Sequence, residues 1–203
     1  MVRYTKEEID EFYSIISNLI EREQFDKLVD EDGSRDIINY LSKSEIVKNM
    51  TIDQLKALND YKWKNMFISG MPHIDWKNGD IRDLFNAFMK NHNFKERDYV
   101  ALEEDGPWYE NYTYWYIGEK YAIKAVNHKS KPFTSSYSSE WYYTIVNVEE
   151  APEEPDMCVV ALAVCNGRAY LHSQFTGSQK DCELWEDEII KKGRDLKIRY
   201  IKL

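Results

Sequence analysis

Two periodicities divide the chain. Up to residue 95 apolar side chains recur at helical spacing, and beyond about residue 96 they alternate with polar ones, as strands with one buried face require. Thr5-Lys6-Glu7-Glu8 has capping-box spacing, where hydroxyl and carboxylate satisfy each other's orphan amides, and Ile9, Phe12, Ile16, Leu19 and Ile20 follow on one stripe. That helix is expected to run to Asp30-Glu31-Asp32-Gly33. Ser34 then caps a short helix with Ile37, Ile38 and Leu41. Thr51-Ile52-Asp53-Gln54 is a second capping box, opening a helix with Leu55, Leu58 and Tyr61 on one side. Met71-Pro72 breaks the pattern, Asn78-Gly79 reads as a turn, and Asp80 caps a helix bearing Ile81, Leu84, Phe85 and Phe88.

The second part predicts strands at Tyr99–Leu102, Tyr112–Ile117, Lys120–Val126, Glu140–Val148, Met157–Cys165, Arg168–Phe175 and Leu196–Ile201. A late helix, about Gln179 to Lys192, has Leu184, Trp185 and Ile189 on its apolar side. Asn166-Gly167 demands two positive φ angles and predicts a tight hairpin pairing Val164 with Ala169, Leu162 with Leu171 and Val160 with Ser173. Its first strand is apolar on both sides, which predicts a central hairpin covered by helices. Gly118-Glu119 predicts a type II′ hairpin opposing Tyr116 to Tyr121, Tyr114 to Ile123 and Tyr112 to Ala125. The tyrosines then face a core, and Trp115 lies among lysines on the wetter side. The expected fold is α+β: a helical part, residues 1–95, packed on a mainly antiparallel β-sheet or partial barrel, residues 96–203. No Gly/Ser linker separates the two, so a single domain is equally compatible.

Composition narrows the function classes. Acidic residues outnumber basic ones 36 to 27, for a net charge of -9, so a broad phosphate-neutralising surface is disfavoured and with it direct nucleic-acid binding. The longest apolar run, Met157 to Cys165, is less than half a membrane span, and the N-terminus lacks the pattern of a secretory signal. A cytoplasmic location is therefore expected. The frequent lysine, asparagine, isoleucine and tyrosine resemble the usage of AT-rich bacterial or phage genomes. Three cysteines without a C-x-x-C pair indicate buried free thiols. Cys158 and Cys165 stand roughly 23 Å apart at about 3.3 Å per strand residue, too far to bond. Acidic neighbours of Cys182 should raise its thiol pKa.

Metal, cofactor and nucleophile chemistry find little footing. His73 and Asp75 share a Pro-flanked loop, but nothing nearby completes a ligand set, so no metal is expected. Asp30 to Asp36 has glycine in the fourth place rather than the sixth that a calcium loop needs. There is no G-x-S-x-G elbow or phosphate-cradling glycine loop, and no cofactor is expected.

What stands out is aromatic density. From Pro107 to Tyr143 twelve of 37 residues are aromatic, against about five at the chain-wide share of 14%. Most of these satisfy strand propensity and a core. Gly106-Pro107-Trp108-Tyr109-Glu110-Asn111 is different, because a Gly-Pro turn should expose its Trp-Tyr pair. Trp108, Tyr109 and Trp115, with the acids Glu103, Glu104, Asp105 and Glu110, form the candidate partner-binding set. Further acids cluster at Glu149–Asp156 and along the late helix. Acid for steering and aromatics for anchoring suit a non-catalytic inhibitor of a basic, nucleic-acid-acting protein such as a nuclease. Phage anti-defence and toxin-neutralising proteins are of this type. The alternative is an enzyme acting on a nucleotide or sugar, with carboxylates as acid and base and aromatics stacking on the substrate.

Overall fold

A computed structural model describes residues 6–32, 34–68, 78–105, 108–131, 139–191 and 196–203. Contacts divide the chain into two compact units, Met1–Asn93 and Phe94–Leu203. Thr5, Gly33, His73 and Asp75, the Met71-Pro72 break, Gly106 and Pro107 lie outside the described residues.

The first unit is helical: α1 (Lys6–Ile16), α2 (Arg22–Asp32), α3 (Ser34–Leu41), α4 (Ser44–Val47), α5 (Ile52–Ile68) and α6 (Asn78–Asn91). The expected stripes are its core: Phe12, Ile16, Ile37, Ile38, Leu41, Leu55, Leu58, Ile81, Leu84, Phe85 and Phe88 are buried. The first helix is not continuous. The chain turns after Ile16, with Leu19 N donating to Ile16 O at 2.8 Å, and both Leu19 and Ile20 are buried in the break. Arg22 then ties the two pieces, donating to Asp10 at 2.7 Å and to Asp26 at 2.8 Å. The second capping box forms: Thr51 N donates to Gln54 Oε1 and Gln54 N to Thr51 Oγ1. Asn78 and Gly79, expected as a turn, belong to α6, which begins two residues before Asp80. Asn93, φ 57°, supplies the left-handed residue after that helix.

The second unit is one open antiparallel sheet of seven strands in the order β4-β3-β2-β1-β6-β5-β7, with a helix on one face. The strands are β1 (Lys95–Asp105), β2 (Tyr109–Ile117), β3 (Tyr121–Ser130), β4 (Ser139–Asn147), β5 (Met157–Cys165), β6 (Arg168–Gly177) and β7 (Leu196–Lys202), and α7 spans Gln179–Lys191. The fold class is therefore α+β, and the sheet does not close toward a barrel, since β4 and β7 remain at its edges. β1 begins four residues before the expected Tyr99, because Lys95, Glu96 and Arg97 pair with Ile117, Tyr116 and Trp115 despite their polarity.

The Asn166-Gly167 turn has both positive φ angles, 50° and 75°. The pairs Val164↔Ala169 and Leu162↔Leu171 form as expected. A bulge then moves Val160 from Ser173 to Gln174. The hairpin is also not central. β5 lies one strand from the edge, α7 covers one face, and Val164, Tyr170 and Leu171 are exposed. At the other hairpin Ile117 pairs with Ala122 around a four-residue loop, so Tyr116 meets Ile123 rather than Tyr121. Gly118 does not take the positive φ of a type II′ turn. It is needed for space: a Cβ there would stand 2.8 Å from Phe94 Cζ.

The slip is two residues, so side chains keep their expected faces. Tyr112, Tyr114 and Tyr116 share one with Ile123 and Ala125, both fully buried, and with Trp141 and Tyr143 of β4. The opposite face corrects the expectation for Trp115. It is buried, packing with Ala122 among Ile117, Val146, Ala151 and Phe175. The acidic connector after β4, a 3-10 turn at Val148–Glu150 followed by a run without regular structure to Asp156, brings Ala151 against it. Phe175 also joins the cluster beneath α7, where Cys182, Trp185 and Ile189 meet Val159 and Ala161. Ser178 caps α7 by accepting from Asp181 N at 3.2 Å. Leu184, expected on the helix's apolar side, is exposed instead.

Candidate interaction site

The β1–β2 hairpin gathers five of the seven candidate residues through backbone register, and Trp108 joins them at its tip. Glu103 pairs with Asn111, Glu104 with Glu110 and Asp105 with Tyr109. Trp108 leads into β2, 56% exposed, with its carbonyl accepting from Lys131 N at 2.8 Å. Tyr109 is 39% exposed. Trp115 is not part of the group, lying six residues along β2, about 20 Å at strand rise, and buried.

Strand alternation splits the tip into two sides. On one, the Tyr109 ring stacks on His128 with centroids 4.7 Å apart, and His128 Nδ1 is 2.8 Å from Asn111 Oδ1. Glu140 pairs with His128 from the neighbouring strand and accepts the Tyr142 hydroxyl proton at 2.6 Å. On the other side Glu110 accepts from the Tyr112 hydroxyl at 2.9 Å, and Lys129 Nζ sits 4.0 Å from the centre of the Tyr112 ring. Burial, then the carboxylate it bonds, pushes Tyr112 up to about 12, and Tyr142 likewise. These phenols remain protonated donors at any physiological pH. The exposed Trp-Tyr pair thus stands on a braced support rather than a loose loop.

His128 and Lys129 were not singled out from sequence. Their place follows from the β2–β3 register, which puts Asn111 opposite His128 and Glu110 opposite Lys129. Assuming a two-residue turn at Gly118 moves that register by two and sets Val126 opposite Asn111.

The other acids lie elsewhere on the sheet unit. Glu149, Glu150, Glu153, Glu154 and Asp156 are exposed on the connector, and Glu183, Asp187 and Glu188 on α7. The cysteines depart from a uniformly buried set: Cys165 is exposed, Cys158 half-buried and Cys182 buried. Burial foremost, with Asp181 and Asp156 contributing less, raises the Cys182 thiol. Among the described residues no group of three or more His, Cys, Asp or Glu is placed to hold a metal ion. No described helix is long and apolar enough to cross a membrane.

A cleft of about 680 Å³ opens between β1, β6 and the connector, lined by Glu96, Arg97, Glu154, Pro155, Gln174, Thr176 and Leu203. Comparison of the chain with known protein families, curated proteins and solved structures finds no match.

Proposed function

We propose that this protein is a non-catalytic interaction protein that binds, and thereby inhibits, a basic protein acting on nucleic acid, through the tip of the β1–β2 hairpin. The observation that carries this reading is the exposed Trp108-Tyr109 pair, at 56% and 39%, held beside Glu103, Glu104, Asp105 and Glu110 by strand register. Large aromatic rings with a polar tip are the side chains that most often dominate binding energy, and here the stack on His128 lowers the ordering cost for Tyr109. The net charge of -9, concentrated in the sheet unit, steers a cationic partner from a distance, and the acids on the hairpin compete for the surface that meets phosphates. Trp115 takes no direct part, being a core residue beneath the connector.

The enzymatic reading has less support. Its requirement is a pocket with converging acids and a stacking ring, and the described cleft offers Glu96 and Glu154 without a Trp or Tyr in its lining. The test is capture of partners from the native host at low salt. A stoichiometric basic protein that elutes as ionic strength rises supports inhibition by docking. Recovery of no basic protein, or of one held equally at high salt, contradicts it.

A further inference from the structure

We propose that the face of β6, β5 and β7 turned away from α7 docks an amphipathic, acidic helix of a partner protein, a function separate from the hairpin tip. Register defines that face. Cys158 pairs with Thr176 and Ile201, Val160 with Gln174 and Arg199, Leu162 with Leu171 and Lys197, and Val164 with Ala169. Directly opposed residues point to the same side of a sheet, and successive residues to opposite sides. The alternate set, Met157, Val159 and Ala161 with Phe175, Leu196 and Ile198, is the one packed with α7. β5 is thus apolar on both sides, and α7 covers one. On the other, Val164, Leu171 and Ile201 are 48%, 49% and 51% exposed, and Val160 and Leu162 are half-buried. A contiguous apolar strip of that kind marks a contact surface.

Charge selects the occupant. β5, β6 and β7 contain no carboxylate, in a chain that has 36. Lys197 and Arg199 stand on the bare face, on the edge strand, both exposed and neither with an ion-pair partner among the described residues. A second copy presenting the same face brings no carboxylate to pair with them. On the β6 side, by contrast, Glu154 of the connector borders Gln174 and Thr176. The occupant therefore has an apolar stripe and an acidic flank turned toward β7. Dimensions suit a helix. From β6 to β7 is two strand spacings, roughly 10 Å, close to a helix diameter of about 10–12 Å. Lys197 and Arg199 lie roughly 6.6 Å apart along β7. Carboxylates at i and i+4 of a helix laid along the strand lie about 6 Å apart, so each cation gains one.

The test is a titration of the full chain, ¹⁵N-labelled, with two synthetic helical peptides of about fourteen residues, which span roughly 20 Å. Both carry the same leucine stripe, flanked by glutamates at i, i+4 spacing in one and by lysines in the other. The glutamate peptide is expected to shift the amides of Val160, Leu162, Leu171, Lys197, Arg199 and Ile201 with a dissociation constant of about 1 mM or below, and the lysine peptide to leave them unmoved. The double variant Lys197→Glu/Arg199→Glu weakens the glutamate peptide by about tenfold or more and admits the lysine peptide in its place. Leu171→Ser weakens the glutamate peptide less, and Trp108→Ala leaves it unchanged, so failure at this face and failure at the hairpin are told apart. The amide spectrum of each variant reports its folding at the same time. Equal shifts from both peptides, or an unchanged preference after the charge reversal, overturn the proposal. So does concentration-dependent broadening of the same amides in the chain alone, which assigns the face to a second copy. Their perturbation by phosphatidylglycerol vesicles overturns it too, by assigning the face to an anionic membrane.

Discussion

Gly118 shows how one residue can be identified correctly for the wrong reason. A Gly-X pair between two alternating runs signals a hairpin, and a hairpin forms there, but the glycine is required by Phe94 and not by its own φ. The distinction yields a prediction. Gly118→Ala brings a methyl group to 2.8 Å from the Phe94 ring and 3.1 Å from Tyr121 O, so it should cost about 1–3 kcal/mol in a thermal or denaturant melt. A neutral substitution would show that Phe94 swings clear. Trp115 is the converse case. Alternation placed it beside lysines correctly, and Lys124 is its cross-strand partner. Burial depended on the connector returning over that face, a long-range event that no local pattern encodes.

At the scale of elements, strand and helix identities were legible because β-rich and helical periods rarely coexist in one segment. Helix ends and registers were less so. The break between α1 and α2 keeps Leu19 and Ile20 buried on either side of a turn, so the apolar spacing survives while the helix does not. Register in β2–β3 was fixed by loop length, and a two-residue error preserved the faces while moving the partners. That error concealed the stacking of Tyr109 on His128, the support of the candidate site.

Two predictions belong to this scale. The tyrosine-rich strands should lose stability in alkali. Tyr112, Tyr116 and Tyr142 are each pushed up to about 12 from 10.0, chiefly by burial, then by Glu110, Glu96 and Glu140 respectively. The folded state thus holds protons that the unfolded chain releases near pH 10. Stability is full below that pH and falls as pH rises through 12. Absorbance at 295 nm should show these phenols ionising together with unfolding, and ionisation near 10 in the folded protein would contradict the burial. The second concerns α7, which is held by Trp185 stacked on Phe175 with centroids 6.0 Å apart. Trp185→Ala should cost about 3–5 kcal/mol by equilibrium unfolding, despite removing a buried indole N–H that has no hydrogen-bond partner. A loss below 1 kcal/mol would mean that α7 contributes little to the sheet's core.

For the whole molecule, composition spoke most about what to exclude and the sheet most about where to look. An acidic chain with 36 carboxylates offers many plausible pairs, so acid alone selects no site. Register places the Glu103–Asp105 run against β2 beside the exposed aromatic pair and apart from Trp115, which is why the proposed docking surface is drawn there. Steering by net charge weakens beyond a Debye length of about 8 Å at physiological salt, so anchoring must come from contact. The measurement that decides most directly is a parallel capture with the wild-type chain and the Trp108→Ala and Tyr109→Ala variants at low salt. These exposed positions leave the fold intact, which a melt confirms. A basic protein retained by the wild type and weakened at least tenfold by either variant is the expected result, while equal retention by all three contradicts docking through the hairpin tip.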